Sequence, residues 1–254
     1  MAHPLQWSRY IWKHEVLHQE VPFVEHPRFG DWGPMYRASR KPLAEITGVA
    51  PVALDGFFAE LEPLHHALET EVGSLPASGA LWQAPLLYVL VRAVRPRWLI
   101  ESGISAGYSS RFLLEALVKN GGEGHLDSIG IARFALGNVS ETDRQRVADR
   151  PIGWLVPSRF EGRWTRHVGR SDEILPGLLA GRPPELDLFL HDSLHDYTTM
   201  HYEYETVWSH IRPGGWVLSH DIHSSEAWPE FLAAHAILKE AELDHDLGAA
   251  RALT

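Results

Sequence analysis

Two kinds of apolar pattern run along this chain. Between 53 and 72, Leu54, Phe57, Phe58, Leu61, Leu64 and Leu68 recur at spacings of three and four, which predicts a helix with one buried face, closed by Gly73 and Ser74. A second, more apolar helix is expected over 79–94, stopped ahead of Pro96, because the residue before a proline is pushed out of the helical region. From 97 onward short apolar runs alternate with amphipathic stretches. Trp98-Leu99-Ile100, His125 to Ile131, Thr165 to Val168, Leu186 to Leu190 and Trp216 to Ser219 read as strands. Helices are expected at 109–119, with Ser109 or Ser110 as N-cap and Asn120-Gly121-Gly122 as the stop, and at 140–149, 171–180, 196–211 and 225–240. The tail 243–254 reads as one or two last strands. Such alternation predicts an α/β fold with a mainly parallel sheet covered on both faces. Residues 1–50 show little periodicity, and the chain has no internal repeat.

Composition narrows the function. A chain of 254 residues makes one large domain, or one domain with an appendage. With 44% apolar and 22% charged residues it is globular rather than disordered. The net charge of −10 argues against general binding to nucleic acid or to anionic membranes. The absence of cysteine removes disulfides, zinc fingers, iron–sulfur clusters and thiol catalysis together. The first residues lack a basic stretch followed by an apolar core, and the apolar run around 84–94 is broken by Arg92. Neither a signal peptide nor a membrane span is expected, and the expected location is the cytoplasm. Homo-oligomerisation is left open.

Candidate chemistry gathers at strand ends, where ligands sit in parallel α/β sheets. Glu101 ends the first strand, and Gly103 and Gly107 would let the backbone turn tightly and approach a ligand. A carboxylate there can accept hydrogen bonds from a ribose or an amine. The spacing is neither that of a dinucleotide fingerprint nor that of a Walker loop. Six of the sixteen histidines lie between 191 and 223. Two later strands lead into His191-Asp192 and His220-Asp221, with His195 and His223 close by. Oxygen and imidazole donors suit Mg²⁺, Mn²⁺, Fe²⁺ or Zn²⁺. An acid at the mouth of an apolar strand has little packing reason to be there. His191, His201 and His210 read as ordinary satisfied side chains, and Glu203 as either support for the cluster or a solvated face. His14 and His18 share a helical face, but no third ligand is near in sequence. Trp154, Trp164, Trp208, Trp216 and Trp228 read mainly as core, and the arginines at 159, 163, 166 and 170 as a solvated face.

The segment from Pro96 through Glu101-Ser102-Gly103 to Ser110 resembles the first motif of class I S-adenosylmethionine-dependent methyltransferases. Leu188 to Tyr197, and Arg212-Pro213-Gly214-Gly215 to Ile222, resemble the "strand, Asp, x, x, His, x, Tyr" and "Pro-Gly-Gly, strand, Asp" elements of a bacterial subgroup. That subgroup includes O-methyltransferases of natural-product sugars and cephalosporin-hydroxylase-like proteins. The resemblance covers about 80–235. It implies a Rossmann-like sheet of seven strands, the last antiparallel, forming a methyltransferase domain at 79–254, with 1–78 as an N-terminal helical extension. It also implies S-adenosylmethionine bound by Glu101, Gly103, Ser105, Gly107, Ser109, Gly130, Arg170 and Ser171. It implies a divalent cation at Asp192 and Asp221, completed by His195, His220 or His223, with Asp192 and His195 catalytic and His195 as general base. The implied reaction is metal-assisted O-methylation of a small hydroxylated molecule in secondary metabolism. Two positions depart from the family. Gly130 stands where an acid binds the ribose hydroxyls, Asp127 lying an odd number of residues earlier and hence on the other face. Gly169-Arg170-Ser171 replaces a Gly-Asp-Ser-like turn. A second reading keeps the fold and the metal cluster but alters the cofactor, giving hydrolytic, isomerising or oxidative chemistry; a third is a non-catalytic relative.

Overall fold

The computed structural model describes residues 24–25, 29–72, 74–75, 81–131 and 150–253. The expected helix at 140–149, the pair His14 and His18, and Gly73 lie outside them. The elements run β1 (Val24–Glu25), α1 (Phe29–Thr47), α2 (Pro51–Ala59), α3 (Glu62–Val72), β2 (Ser74–Leu75), α4 (Ala84–Val94), β3 (Trp98–Ser102), α5 (Tyr108–Asn120) and β4 (His125–Gly130). They continue with β5 (Trp164–Val168), α6 (Ser171–Leu179), β6 (Leu186–His191), α7 (Tyr197–Trp208), β7 (Ile211–Ser219), α8 (Ala227–Ala234), β8 (Ile237–Asp244) and β9 (Leu247–Ala252).

Seven strands form one sheet in the order β5-β4-β3-β6-β7-β9-β8, and β1 pairs with β2 separately. The strands β3 to β7 are mutually parallel, and β9 runs antiparallel to both β7 and β8. This is the Rossmann-like methyltransferase arrangement expected from the sequence, with N-terminal helices added. Because side chains alternate along a strand, each central strand feeds two cores. Leu99, Leu126, Leu188, Leu190 and Leu218 join a cluster with α1 to α5, including Trp32, Leu43, Leu54 and Phe112. Ile100, Ile129, Phe189 and Val217 join the opposite cluster with α6, α7 and α8. Among the described residues no helix is long and apolar enough to cross a membrane.

Several boundaries differ from expectation. The helix expected over 53–72 is broken at Glu60-Leu61 into α2 and α3. Pro63 has no N–H for a carbonyl four residues back, so the helix restarts with Pro63 in its first turn. The helix expected over 225–240 stops at Ala234, and Ile237–Asp244 forms the edge strand β8. That segment is rich in Ala, Glu and Lys, which favour helix locally; pairing with β9 overrides the preference. The edge is tied to α1, where the buried Ser39 hydroxyl donates to the Leu243 carbonyl and Lys239 Nζ donates to the Glu45 carbonyl at 2.7 Å.

At the amino end of the sheet, the buried Asp187 carboxylate accepts from the backbone N–H of Arg97 (2.8 Å) and Trp98 (2.9 Å) and from the Arg212 guanidinium. It thereby fixes the starts of β3, β6 and β7 against one another. Asp187→Ala leaves two backbone donors and a cation without this acceptor and is expected to cost about 2 kcal/mol of stability. Urea unfolding measures this; a loss below about 0.5 kcal/mol would show that the clamp contributes little.

Candidate active site

The turn after β3 is held by backbone contacts on both sides. Gly103 has φ +101°, and a Cβ there would lie 1.8 Å from the Asp192 carbonyl oxygen. Gly107 has φ +86°, and its Cβ would lie 2.8 Å from the Gly153 Cα. The Gly103 N–H donates to Ile129 O (2.8 Å), Asp192 N–H to Ser102 O (2.9 Å), and Gly153 N–H to Ser105 O (2.9 Å). Only glycine fits at 103 and 107, and the cause is the packing of the turn on the end of β6 and on the segment at 153. The tight turn expected of these glycines is thus required by packing alone, whatever approaches the turn from outside. Ser105, half-buried, carries φ +48° at the tip of the same turn.

Glu101 is fully buried, and both its oxygens are taken by hydroxyls: Ser109 at 2.5 Å, Ser110 at 2.5 Å and Ser128 at 2.7 Å. The expected ligand-facing carboxylate is therefore an internal strut joining β3, β4 and α5. Ser109 is likewise buried on Glu101, and Gly107, not a serine, occupies the N-cap of α5. Burial pushes the Glu101 carboxyl up to about 7, with the three hydroxyls partly offsetting it. Gly130 ends β4 with Ile104 packed beside it, 3.1 Å from where a Cβ would stand. Asp127 is on the other face as expected, accepting from Trp98 Nε1 (2.9 Å) and paired with His167 Nε2 (2.8 Å). Arg170 precedes α6, is 68% exposed, and is neutralised by Asp172 at 2.8 Å. Beyond the sheet, Ile131 and Val168 expose apolar surface at the ends of β4 and β5.

The histidine and aspartate cluster does assemble. β6 and β7 are parallel neighbours, His191 lying beside Ser219, so the residues that follow them emerge side by side. Asp192 Oδ1 lies 3.1 Å from His220 Nδ1 and 3.7 Å from His195 Nε2. One donor atom from each of the three residues falls within 4.8 Å of the others. His195 Nδ1 sits 2.8 Å from Asp221 Oδ2, and Asp221 itself has φ +50°. His195 Nε2 and His220 Nδ1 are buried atoms with no hydrogen bond. Burial opposes charge on His195, but Asp192 and Asp221 outweigh it and hold its pKa up at about 10. Burial also opposes the charge of both aspartates; the imidazoles outweigh it, keeping both carboxyls below their usual range. His223 does not join the cluster. It is exposed and faces Glu242 at 3.4 Å.

Two further acids belong here. Glu203, on α7, is fully buried and accepts from His191 Nδ1 (2.6 Å), Ser102 (2.5 Å) and Ser193 (2.7 Å), with Ser171 lowering its pKa further. It grips the residues on both sides of Asp192, so His191 is only half satisfied: its Nε2 has no hydrogen bond. The clue was present in the sequence, since 203 falls on the buried stripe of Met200, Tyr204 and Val207. Asp246, in the β8–β9 turn, has its pKa raised by burial and by Asp221; no pattern before it marked it.

Residues 100–222 match the methyltransferase domain family. The match spans just under half of the chain. The chain's fold is shared with an O-methyltransferase of Bacillus cereus solved with S-adenosylhomocysteine (15% identity, 78% of this chain and 91% of that one, TM-score 0.52). It is also shared with the O-methyltransferase TomG of Streptomyces achromogenes, involved in tomaymycin synthesis and solved with S-adenosylmethionine (19% identity, all of both chains, TM-score 0.50). No curated protein matches the chain.

The buried strut gives a pH test. A carboxyl raised from 4.5 to about 7 contributes most to stability below pH 4.5, and that contribution is lost as pH rises through 7. Glu101→Gln removes the titration while the serine hydroxyls can reorient. The variant is expected to gain stability relative to wild type between about pH 5 and 8 and to run parallel to it above. Thermal unfolding across that range measures the difference, and a flat difference would mean that Glu101 ionises normally.

Proposed function

We propose that this protein transfers a methyl group from S-adenosylmethionine to a hydroxyl of a small molecule, with a divalent cation assisting at Asp192, His195 and His220. The observation that carries this reading is the convergence of those three side chains at the carboxyl edge of a methyltransferase sheet, beside the Gly103–Gly107 turn. The natural-product role of TomG supports a small hydroxylated acceptor.

The fit to S-adenosylmethionine is favourable in one part and reduced in another. Ile131 and Val168 offer apolar surface suited to a purine ring. Gly130 offers the ribose only backbone, so less of the binding energy comes from that end. Arg170 is exposed and paired with Asp172, which offsets its charge at the start of α6. The fit to a cation rests on two buried imidazole nitrogens without hydrogen bonds, next to a carboxylate. When bound, the cation supplies Lewis acidity that lowers the pKa of the acceptor hydroxyl.

The chain's own residues supply orientation. Glu203 holds His191 and Ser193, which flank Asp192, and the Gly103 contact seats the Asp192 backbone. Asp221 holds the His195 ring through Nδ1. In the transfer the sulfur–methyl bond breaks as the oxygen–methyl bond forms, S-adenosylhomocysteine is the leaving group, and the hydroxyl proton passes to solvent water. Alignment of acceptor and methyl group accounts for much of the acceleration. His195 Nε2 is the atom that would serve as general base, and the same lone pair points into the cation cluster; we assign it to the cation.

Transfer of labelled methyl from S-adenosylmethionine to a panel of phenolic, sugar and hydroxylated heterocyclic acceptors tests the activity. Asp192→Asn is expected to lower turnover at least about 100-fold with the fold retained by circular dichroism. Calorimetry that finds no S-adenosylmethionine binding at millimolar ligand would overturn the reading.

A further inference from the structure

We infer that the cation held here is a transition-metal ion of the kind imidazole favours, such as Zn²⁺, Fe²⁺ or Co²⁺, and not Mg²⁺. The inference rests on the proposed cation site and deepens it by naming the donors. Those donors are one carboxylate oxygen, Asp192 Oδ1, and two ring nitrogens, His195 Nε2 and His220 Nδ1, at 3.7 and 3.1 Å from that oxygen. The sequence suggested two aspartate ligands. The structure gives Asp221 a different position, behind His195, with its Oδ2 2.8 Å from the opposite ring nitrogen.

That arrangement decides the tautomer. With a cation bound, the Asp221 carboxylate would accept a hydrogen bond from Nδ1–H, keeping the ring proton there and leaving Nε2 to the cluster. Asp221, whose backbone carbonyl accepts from the Ser224 N–H (2.9 Å) and whose φ is positive, thus sets its carboxylate as the outer partner of a ligating histidine. His220 offers the second nitrogen; its other ring nitrogen lies 3.7 Å from Asp221 Oδ1. Two imidazole nitrogens and one carboxylate oxygen form a donor set that suits borderline transition metals. Mg²⁺ requires near-octahedral oxygen and loses water reluctantly, and this cluster offers it one oxygen.

The test uses untagged, full-length protein stripped with a chelator and exchanged into chelator-free buffer. It is titrated calorimetrically with Mg²⁺, Mn²⁺, Co²⁺ and Zn²⁺ in the absence of S-adenosylmethionine. One equivalent of Co²⁺ and of Zn²⁺ is expected to bind at least about 100-fold more tightly than Mg²⁺. The Co²⁺ complex should show a visible absorption spectrum of nitrogen-ligated low-coordinate cobalt. His220→Ala should weaken Co²⁺ binding at least about tenfold and alter that spectrum, and Asp221→Asn should weaken it by about 10- to 100-fold. His223→Ala, remote from the donors, should change neither. Mg²⁺ binding as tightly as Zn²⁺, no stoichiometric binding of any of these ions, or an unchanged cobalt spectrum in His220→Ala would each overturn the inference. The wild-type selectivity and spectrum need no variant, so a misfolded variant does not blunt the test. A parallel S-adenosylmethionine titration of the same metal-free protein separates failure of the methyl-donor reading from failure of the metal assignment.

Discussion

The turn after β3 and the end of β6 approach so closely that no side chain fits between them. A Cβ at Gly103 would overlap the Asp192 carbonyl oxygen, and this contact ties the two halves of the site together. The Gly-bearing turn belongs to the side of the sheet where a nucleotide binds in such folds, while Asp192 opens the segment that holds His195. Any shift of one displaces the other by a comparable amount, because backbone against backbone has no rotamer with which to yield. The register among β4, β3 and β6 continues the same rigidity, with Gly103 bonded to Ile129 and Asp192 to Ser102.

Two buried carboxylates flank that contact, and they are stabilised by different means. Glu101 receives only hydroxyl hydrogen bonds, which do not compensate fully for lost hydration, so its proton affinity rises. Glu203 has hydroxyls and the His191 imidazole, which outweigh burial and keep its carboxyl ionised. The first is a neutralisable strut in the wall of the turn. The second is a fixed charge directly behind the cluster. Its partner His191 is edge-on to His195, with ring centroids 5.4 Å apart, and His195 to His220 at 5.2 Å, so one packed row of rings runs from the buried acid to the cluster.

Much of this was legible in the sequence where period and position speak together. The short apolar runs gave the central strands, and residues at their carboxyl ends gave the cluster, because a parallel sheet brings such ends together regardless of what lies between. Asp192, His195, His220 and Asp221 were found this way. The roles inside the cluster were not legible, since Asp221 takes a left-handed φ and faces the back of an imidazole, and nothing in the spacing of the sequence marks that turn. Glu101 misled because its position suggests a ligand, and the serines that claim it are eight, nine and twenty-seven residues away. His223 misled for the opposite reason, lying two residues past Asp221 yet turned toward β8. The β8 segment failed on local propensity, which carries no information about a strand partner that follows it in the chain.

The edge formed by β8 has a consequence for how copies of this protein meet. An exposed strand edge is a template for another chain. Here the register with β9 is interrupted between Ile237 and Lys239 and between Glu242 and Asp244, and Lys239, Glu240 and Glu242 are exposed along it. Lys239 is also drawn back onto α1. An antiparallel copy docking on this edge would meet a broken ladder and bring its own glutamates against these. Continuous sheet growth across molecules is therefore opposed by the strand's own sequence.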